Sequence, residues 1–403
     1  MKYSIENDEV MTAIPIHGSG TESLHALLKA YSLNHILEII QNKSDFNISH
    51  RNYDLLINVS VHATTEECVE IFRSVFFIAW LKRMNRMLKQ PENELDSHLL
   101  YLPVILIKYL PKFPGENYQC KIPLADQYCP IGTSWQVYTH TSSDDLAMIS
   151  ANHDGSIDLA AADTRIHISE ACKVAVVRAG GSIQVAERVF ITRYHIELLN
   201  SSFFGELSEL RLAEEEPSEM DLADLEAAFT RSLDLIEDVW PECMPDISLL
   251  FNGVLPMSMP SHRWNSASTN ELPYILQLTV RKDAWPFLLA ESVIHELSHV
   301  KMDLYRSIVP VLLSDSAKIY KHPWRPDLRP ISGVLLGAHA FLAVLKFYRQ
   351  AAKIWPDNAP VQNEITIRRG EVQVALQILE EHARFTLEGN AIFAGMISAF
   401  GDN

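Results

Sequence analysis

One stretch constrains this chain more than any other. The run AWPFLLAESVIHELSHVKMDLY, residues 284 to 305, continues beyond Pro286 without a glycine or another proline. A run of that length, about five turns, predicts an α-helix, and Pro286 suits its first turn, where the missing N–H has no intrahelical partner anyway. Asp283 stands where an N-cap would be expected. Just before it, YILQLTV (274 to 280) alternates, with Leu276, Leu278 and Val280 facing one way and Ile275, Gln277 and Thr279 the other. That period predicts one half-buried strand leading into the helix.

The helix carries HExxH: His295, Glu296 and His299. Residues four apart share a helical face, so both imidazoles project together and offer two ligands to one ion. Glu291 lies one turn earlier on that face and is a candidate to orient an imidazole through its second nitrogen. The five letters arise by chance in roughly one chain in twenty, so a third ligand has to carry the argument. Gly and His do not follow at the spacing of one large protease class, because Met302 and Tyr305 stand there. Between Val300 and Pro360 there is no glutamate, and the first is Glu364. Asp303, Asp315 and Asp327 are available, but Asp303 sits on the motif helix itself. The remaining candidate is His339, in GVLLGAHAFLAVLKFY, where Gly337, Ala338 and Ala340 permit close helix packing.

Three neutral histidines leave half of an octahedron open. Iron(II) uses such sites to hold a chelating cosubstrate and dioxygen, whereas zinc holds water at a vacant position. A 2-oxo acid has a distal carboxylate that needs a cation. KHPWRPDLRPISG supplies Arg325 and Arg329 within a proline-stiffened segment leading to the His339 helix, and a guanidinium binds carboxylate with two parallel bonds.

Composition bounds the partners. A formal net charge of -17 opposes a general nucleic-acid or anionic-membrane binder, since phosphate attraction needs a basic surface. The five cysteines are scattered and without CxxC spacing, as expected of reduced thiols in a cytoplasmic protein. MKYSIENDEV does not read as a signal peptide, and LLYLPVILIKYL, with Pro103 and Lys108, is too short for a membrane span.

The texture changes twice along the chain. Residues 1–115 read as helical, with TESLHALLKAYSLNHILEII and ECVEIFRSVFFIAWLKRMNRMLKQ at helical spacing. Residues 116–205 shift to a period of two, with Gly180-Gly181 a hairpin turn. Residues 206–403 return to helix, opening with an N-cap at Ser218 and interrupted by the strand before the motif. The expectation is an α+β chain, mainly α: a helical region, a β-rich region suited to peptide recognition, and a helical catalytic domain.

Three segments together, NSASTNELPYILQL, LAESVIHELSHVKMDLY and PWRPDLRPISGVLLGAHAFLAV, resemble the HExxH-motif peptide-modification family over roughly residues 225 to 400. The most specific element is PWRPDxRP followed by a G-x-x-x-G helix. The resemblance implies an Fe(II)- and 2-oxoglutarate-dependent oxygenase that uses dioxygen to hydroxylate a β-carbon of a ribosomally made precursor peptide. It implies His295, His299 and His339 as iron ligands. The alternative position for the third, one turn away, holds Leu336. Ser266 and Ser268 match the serine-rich element assigned to the cosubstrate, beside Arg329 and Arg325. Pro273 departs from the family pattern, where a glycine is expected. Glu296 would then orient water or anchor a substrate amide, whereas in a zinc metallopeptidase it is the general base. That peptidase is one competing expectation, and a non-catalytic peptide-binding protein is another.

Overall fold

The computed structural model describes residues 222–401 apart from 258–265, 270–271, 280–284 and 316–318. It also describes the strands between 119 and 198, and positions within 24–36, 57–81 and at 106. The chain is α+β and mainly α, and it forms two compact units. One comprises Met1–Tyr3 and Ser32–Phe190, the other Ser4–Tyr31 and Ile191–Asn403. The division falls near 190, and a short N-terminal segment belongs with the C-terminal unit.

In the first unit, α1 (Thr65–Arg73) starts at a reciprocal cap. Thr64 accepts from the Glu67 N–H while the Glu67 carboxylate accepts from the Thr64 N–H. The long helix expected from Glu67 onward is interrupted at Ser74, whose hydroxyl accepts from Phe77 N–H and so opens a new turn. The expected period-two region forms short strands: β1 (Gln119–Pro123), β2 (Tyr128–Ile131), β3 (Trp135–Thr139), β4 (Leu146–Ala151), β5 (Ile157–Ala161), β6 (Thr164–Ile168), β7 (Ile183–Val185) and β8 (Val189–Phe190). The first seven give an antiparallel sheet ordered β1-β4-β5-β6 and a smaller one ordered β2-β3-β7. The expected turn at Gly180-Gly181 lies outside the described residues, as do the caps expected at Ser218 and Asp283.

The second unit carries β9 (Glu197–Leu198), α2 (Leu222–Val239), α3 (Met244–Leu250), β10 (Gly253–Met257), β11 (Ser266–Thr269) and β12 (Leu272–Thr279). Four long elements follow: α4 (Pro286–Ile308), α5 (Ile331–Ile354), α6 (Ala359–His382) and α7 (Leu387–Gly401). Several strands thus precede the motif helix, where one was expected. β12 pairs with β10 in parallel and with β11 antiparallel, so it is central, and residues 274–279 are buried on both faces. Its alternation was misleading because Gln277 and Thr279 are polar yet buried. The edge strand beside the motif is β11.

The motif helix α4 begins at Pro286, with Trp285 in the cap position and no side-chain cap. Its back is fixed by an ion pair between Lys301 Nζ and Asp246 Oδ2 of α3 at 2.7 Å, both groups almost sealed from water. A short link, residues 355–358, turns the chain from α5 into α6, and these two helices share the most extensive interface in the unit. Among the described residues α5 alone is long and apolar enough to cross a membrane, and most of it is buried inside the protein. That is the pattern of a core helix.

Candidate metal centre

His295 and His299 come together as their spacing requires. Their Nε2 atoms stand 3.0 Å apart, with the rings nearly perpendicular. Two nitrogens each about 2.1 Å from a shared ion are separated by about 3.0–3.4 Å as the angle runs from octahedral to tetrahedral, so the pair fits one ion. Burial, above all, holds the His295 imidazole well below the usual 6.5, and the charges of His299, Arg368 and Arg325 push the same way. A neutral imidazole is the ligating form. The far nitrogen of His295, Nδ1, is buried without a hydrogen-bond partner among the described residues, and the ring lies edge-on to Phe341 of α5 at 4.6 Å.

Glu296 is buried and accepts a hydrogen bond from Ser268 Oγ of β11 at 2.7 Å. The resemblance assigned Ser268 to the cosubstrate, and in this arrangement its hydroxyl is spent on the motif glutamate. Ser266, two residues along, is half-exposed on the same face of the strand.

His339 does not join the pair. Among the described residues no three His, Cys, Asp or Glu side chains converge to hold an ion. The reason is helical phase. On α5, Phe341 faces His295, and Gly337 faces Trp324, which stacks on Phe341. His339 is two residues from each, about 200° round the helix, and is buried on the other side. The aspartates are engaged elsewhere. Asp315 accepts from Ser332 N–H at the start of α5, and Asp327 pairs with Arg329 Nε at 2.8 Å. Asp303 meets Arg306 at 3.5 Å; burial raises its carboxyl despite Arg306 and His299.

Glu291 does not orient an imidazole either. Its two oxygens take Tyr348 O–H at 2.7 Å and Arg368 Nη2 at 2.9 Å. Burial raises this carboxyl above its ordinary value even though both partners favour the charged form. The two arginines of the proline-rich segment differ. Arg329 is tied to Asp327, and its backbone exchanges hydrogen bonds with Tyr320 at 2.9 and 3.0 Å. Arg325 is exposed, and its positive charge reaches His295.

Reading the sequence missed Arg368 of α6 and the residues around it. Its only local signal, Glu364 four residues before and Glu371 three after, is that of a solvated helix surface. Neither the family models nor the curated proteins contain a match to this chain. The resemblance therefore stands on the motif residues alone.

Proposed function

We propose that this chain is a non-haem iron oxygenase in which His295 and His299 hold Fe(II), and 2-oxoglutarate and dioxygen supply the oxidant. A precursor peptide in a cytoplasmic setting is the substrate the motif resemblance favours, with hydroxylation at a β-carbon. The observation that carries the reading against a zinc peptidase is the state of Glu296. A peptidase needs this carboxylate to take a proton from water, whereas here it is buried and bonded to Ser268. An oxygenase asks no protein base for C–H cleavage, so a glutamate committed to Ser268 is compatible with it.

Within this reading Arg325, rather than Arg329, receives the distal carboxylate of the cosubstrate. Arg329 would have to leave Asp327 to do so, while Arg325 is exposed and within electrostatic range of His295. The test is metal analysis after anaerobic loading with Fe(II), then succinate formation from 2-oxoglutarate in air. Wild type should bind iron and form succinate; His295→Ala and His299→Ala should do neither. Glu296→Gln should retain iron and succinate formation. Tight zinc instead of iron, no succinate, and casein cleavage abolished by Glu296→Gln would replace this reading with the peptidase.

A further inference from the structure

Beside the histidine pair, three segments of the chain meet on one guanidinium. Arg368 of α6 contacts Glu291 Oε1 and Glu364 Oε2 through Nη2, at 2.9 and 3.2 Å. Its Nη1 contacts Glu371 Oε2 at 2.9 Å. Burial works against its charge, but Glu291, Glu371 and Glu364 outweigh that and keep it firmly protonated. The same Glu371 oxygen accepts from Trp324 Nε1 at 3.1 Å, so the proline-rich segment is latched to the same hub. The guanidinium carbon also sits 5.1 Å from the centre of the Phe341 ring, on which the Trp324 indole stacks at 4.6 Å and 9°. Phe341 in turn presses on His295.

Two routes therefore lead from Arg368 to one imidazole. Through Glu291 it fixes α4 one turn ahead of His295. Through Phe341 it fixes the ring against which His295 rests. Among the described residues His295 has no hydrogen bond at Nδ1 to set its orientation, so packing has to do what an acceptor does for most metal-binding histidines. We infer that Arg368 is a positioning residue for the metal centre, orienting His295 through Glu291 and Phe341 and holding Trp324 in place through Glu371. This rests on His295 and His299 binding a metal.

The test uses cobalt(II) as probe on the full chain, because its visible spectrum reports ligand geometry and its affinity can be titrated against a chelator. Arg368→Lys, which keeps the charge but lacks the planar fork whose two terminal nitrogens reach different carboxylates, and Glu371→Gln, which loosens the hub at its outer end, are compared with wild type. Groups that orient a ligand typically change metal affinity about 10- to 100-fold when altered. Arg368→Lys should fall in that range and change the cobalt spectrum, while Glu371→Gln should show a smaller shift of the same kind. Arg369→Ala, one residue along, serves as control and should match wild type. Should Arg368→Lys fail to fold, Glu371→Gln alone decides. Variants that melt earlier yet bind cobalt with unchanged affinity and spectrum would make Arg368 a fold-stabilising residue only and overturn the inference. A wild type that binds no cobalt would instead overturn the metal-centre reading on which the inference depends.

Discussion

Gly337→Ala sets a favourable local change against an unfavourable packing change, and the structure says which wins. Within a helix, alanine is worth about 1 kcal/mol over glycine. At this position the added Cβ would meet Trp324 Cζ3 at 2.8 Å and Cε3 at 2.9 Å. These are carbons of a rigid indole that is stacked on Phe341 and whose N–H is committed to Glu371. Overpacking of this kind costs about 1–3 kcal/mol, so the net effect should run from neutral to about 2 kcal/mol destabilising. Relief by moving the indole would sacrifice the stack, worth about 0.5–1.5 kcal/mol, and would carry the neighbouring Arg325 with it.

Urea unfolding measures the first consequence and the 2-oxoglutarate dependence of succinate formation the second. Both should worsen in Gly337→Ala. The decisive comparison is a double-mutant cycle with Trp324→Ala, which removes the obstructing ring. In that background alanine at 337 should become stabilising, because only the helix term remains. A single variant that is itself stabilised by about 1 kcal/mol, with no coupling to Trp324, would show that the indole does not occupy this position.

Other expected outcomes test separate parts of the structure. Lys301→Met strands Asp246 as a buried carboxylate and should cost about 3–5 kcal/mol in urea unfolding, while the double change with Asp246→Leu should recover most of that loss. His339→Ala separates the ligand set implied by resemblance from the packing seen here: iron should be retained by metal analysis, and the loss should be one of stability. His322 is buried with neither ring nitrogen hydrogen-bonded among the described residues, and its imidazole is held below 6.5 first by burial and then by Arg329. As pH falls through 6.5 the unfolded chain takes a proton there that the folded chain refuses, so folding stability declines, by up to about 1.4 kcal/mol per pH unit for one proton. His322→Gln should flatten that decline below about pH 6.5 in pH-dependent unfolding.

The parts of this fold that were legible in the sequence are those governed by local periodicity. Four residues separate His295 from His299, and a run without helix breakers makes that spacing a shared face whatever surrounds it. The succession of helical, strand-rich and helical texture is of the same kind. What could not be read was phase between elements. His339 was attractive because it is the histidine of an apolar helix that follows the motif, but which side of α5 faces α4 depends on Gly337, Trp324 and Phe341 packing together. That depends on contacts between segments some way apart in sequence. β12 was misjudged for a related reason: two polar side chains imitate a solvent face on a strand that tertiary contacts bury on both sides.

Arg368 shows why the surroundings of a site are harder to read than its motif. Its immediate neighbours in sequence, glutamates at helical spacing, are what an exposed helix also carries, and nothing local separates the two cases. The difference arises only when Glu291, 77 residues away, is placed against it. A motif histidine can be found by spacing because two ligands must reach one ion from one helix. Groups that orient it have no such constraint, since a carboxylate, a ring or a guanidinium can arrive from any element. At His295 the orienting contact found here is an aromatic ring rather than a hydrogen-bond acceptor. That substitution leaves the His295 imidazole dependent on packing that Arg368, Glu371 and Trp324 hold in common, so, if the pair binds a metal as proposed, the tolerance of the centre to mutation should be narrowest in residues that do not contact His295 through a hydrogen bond.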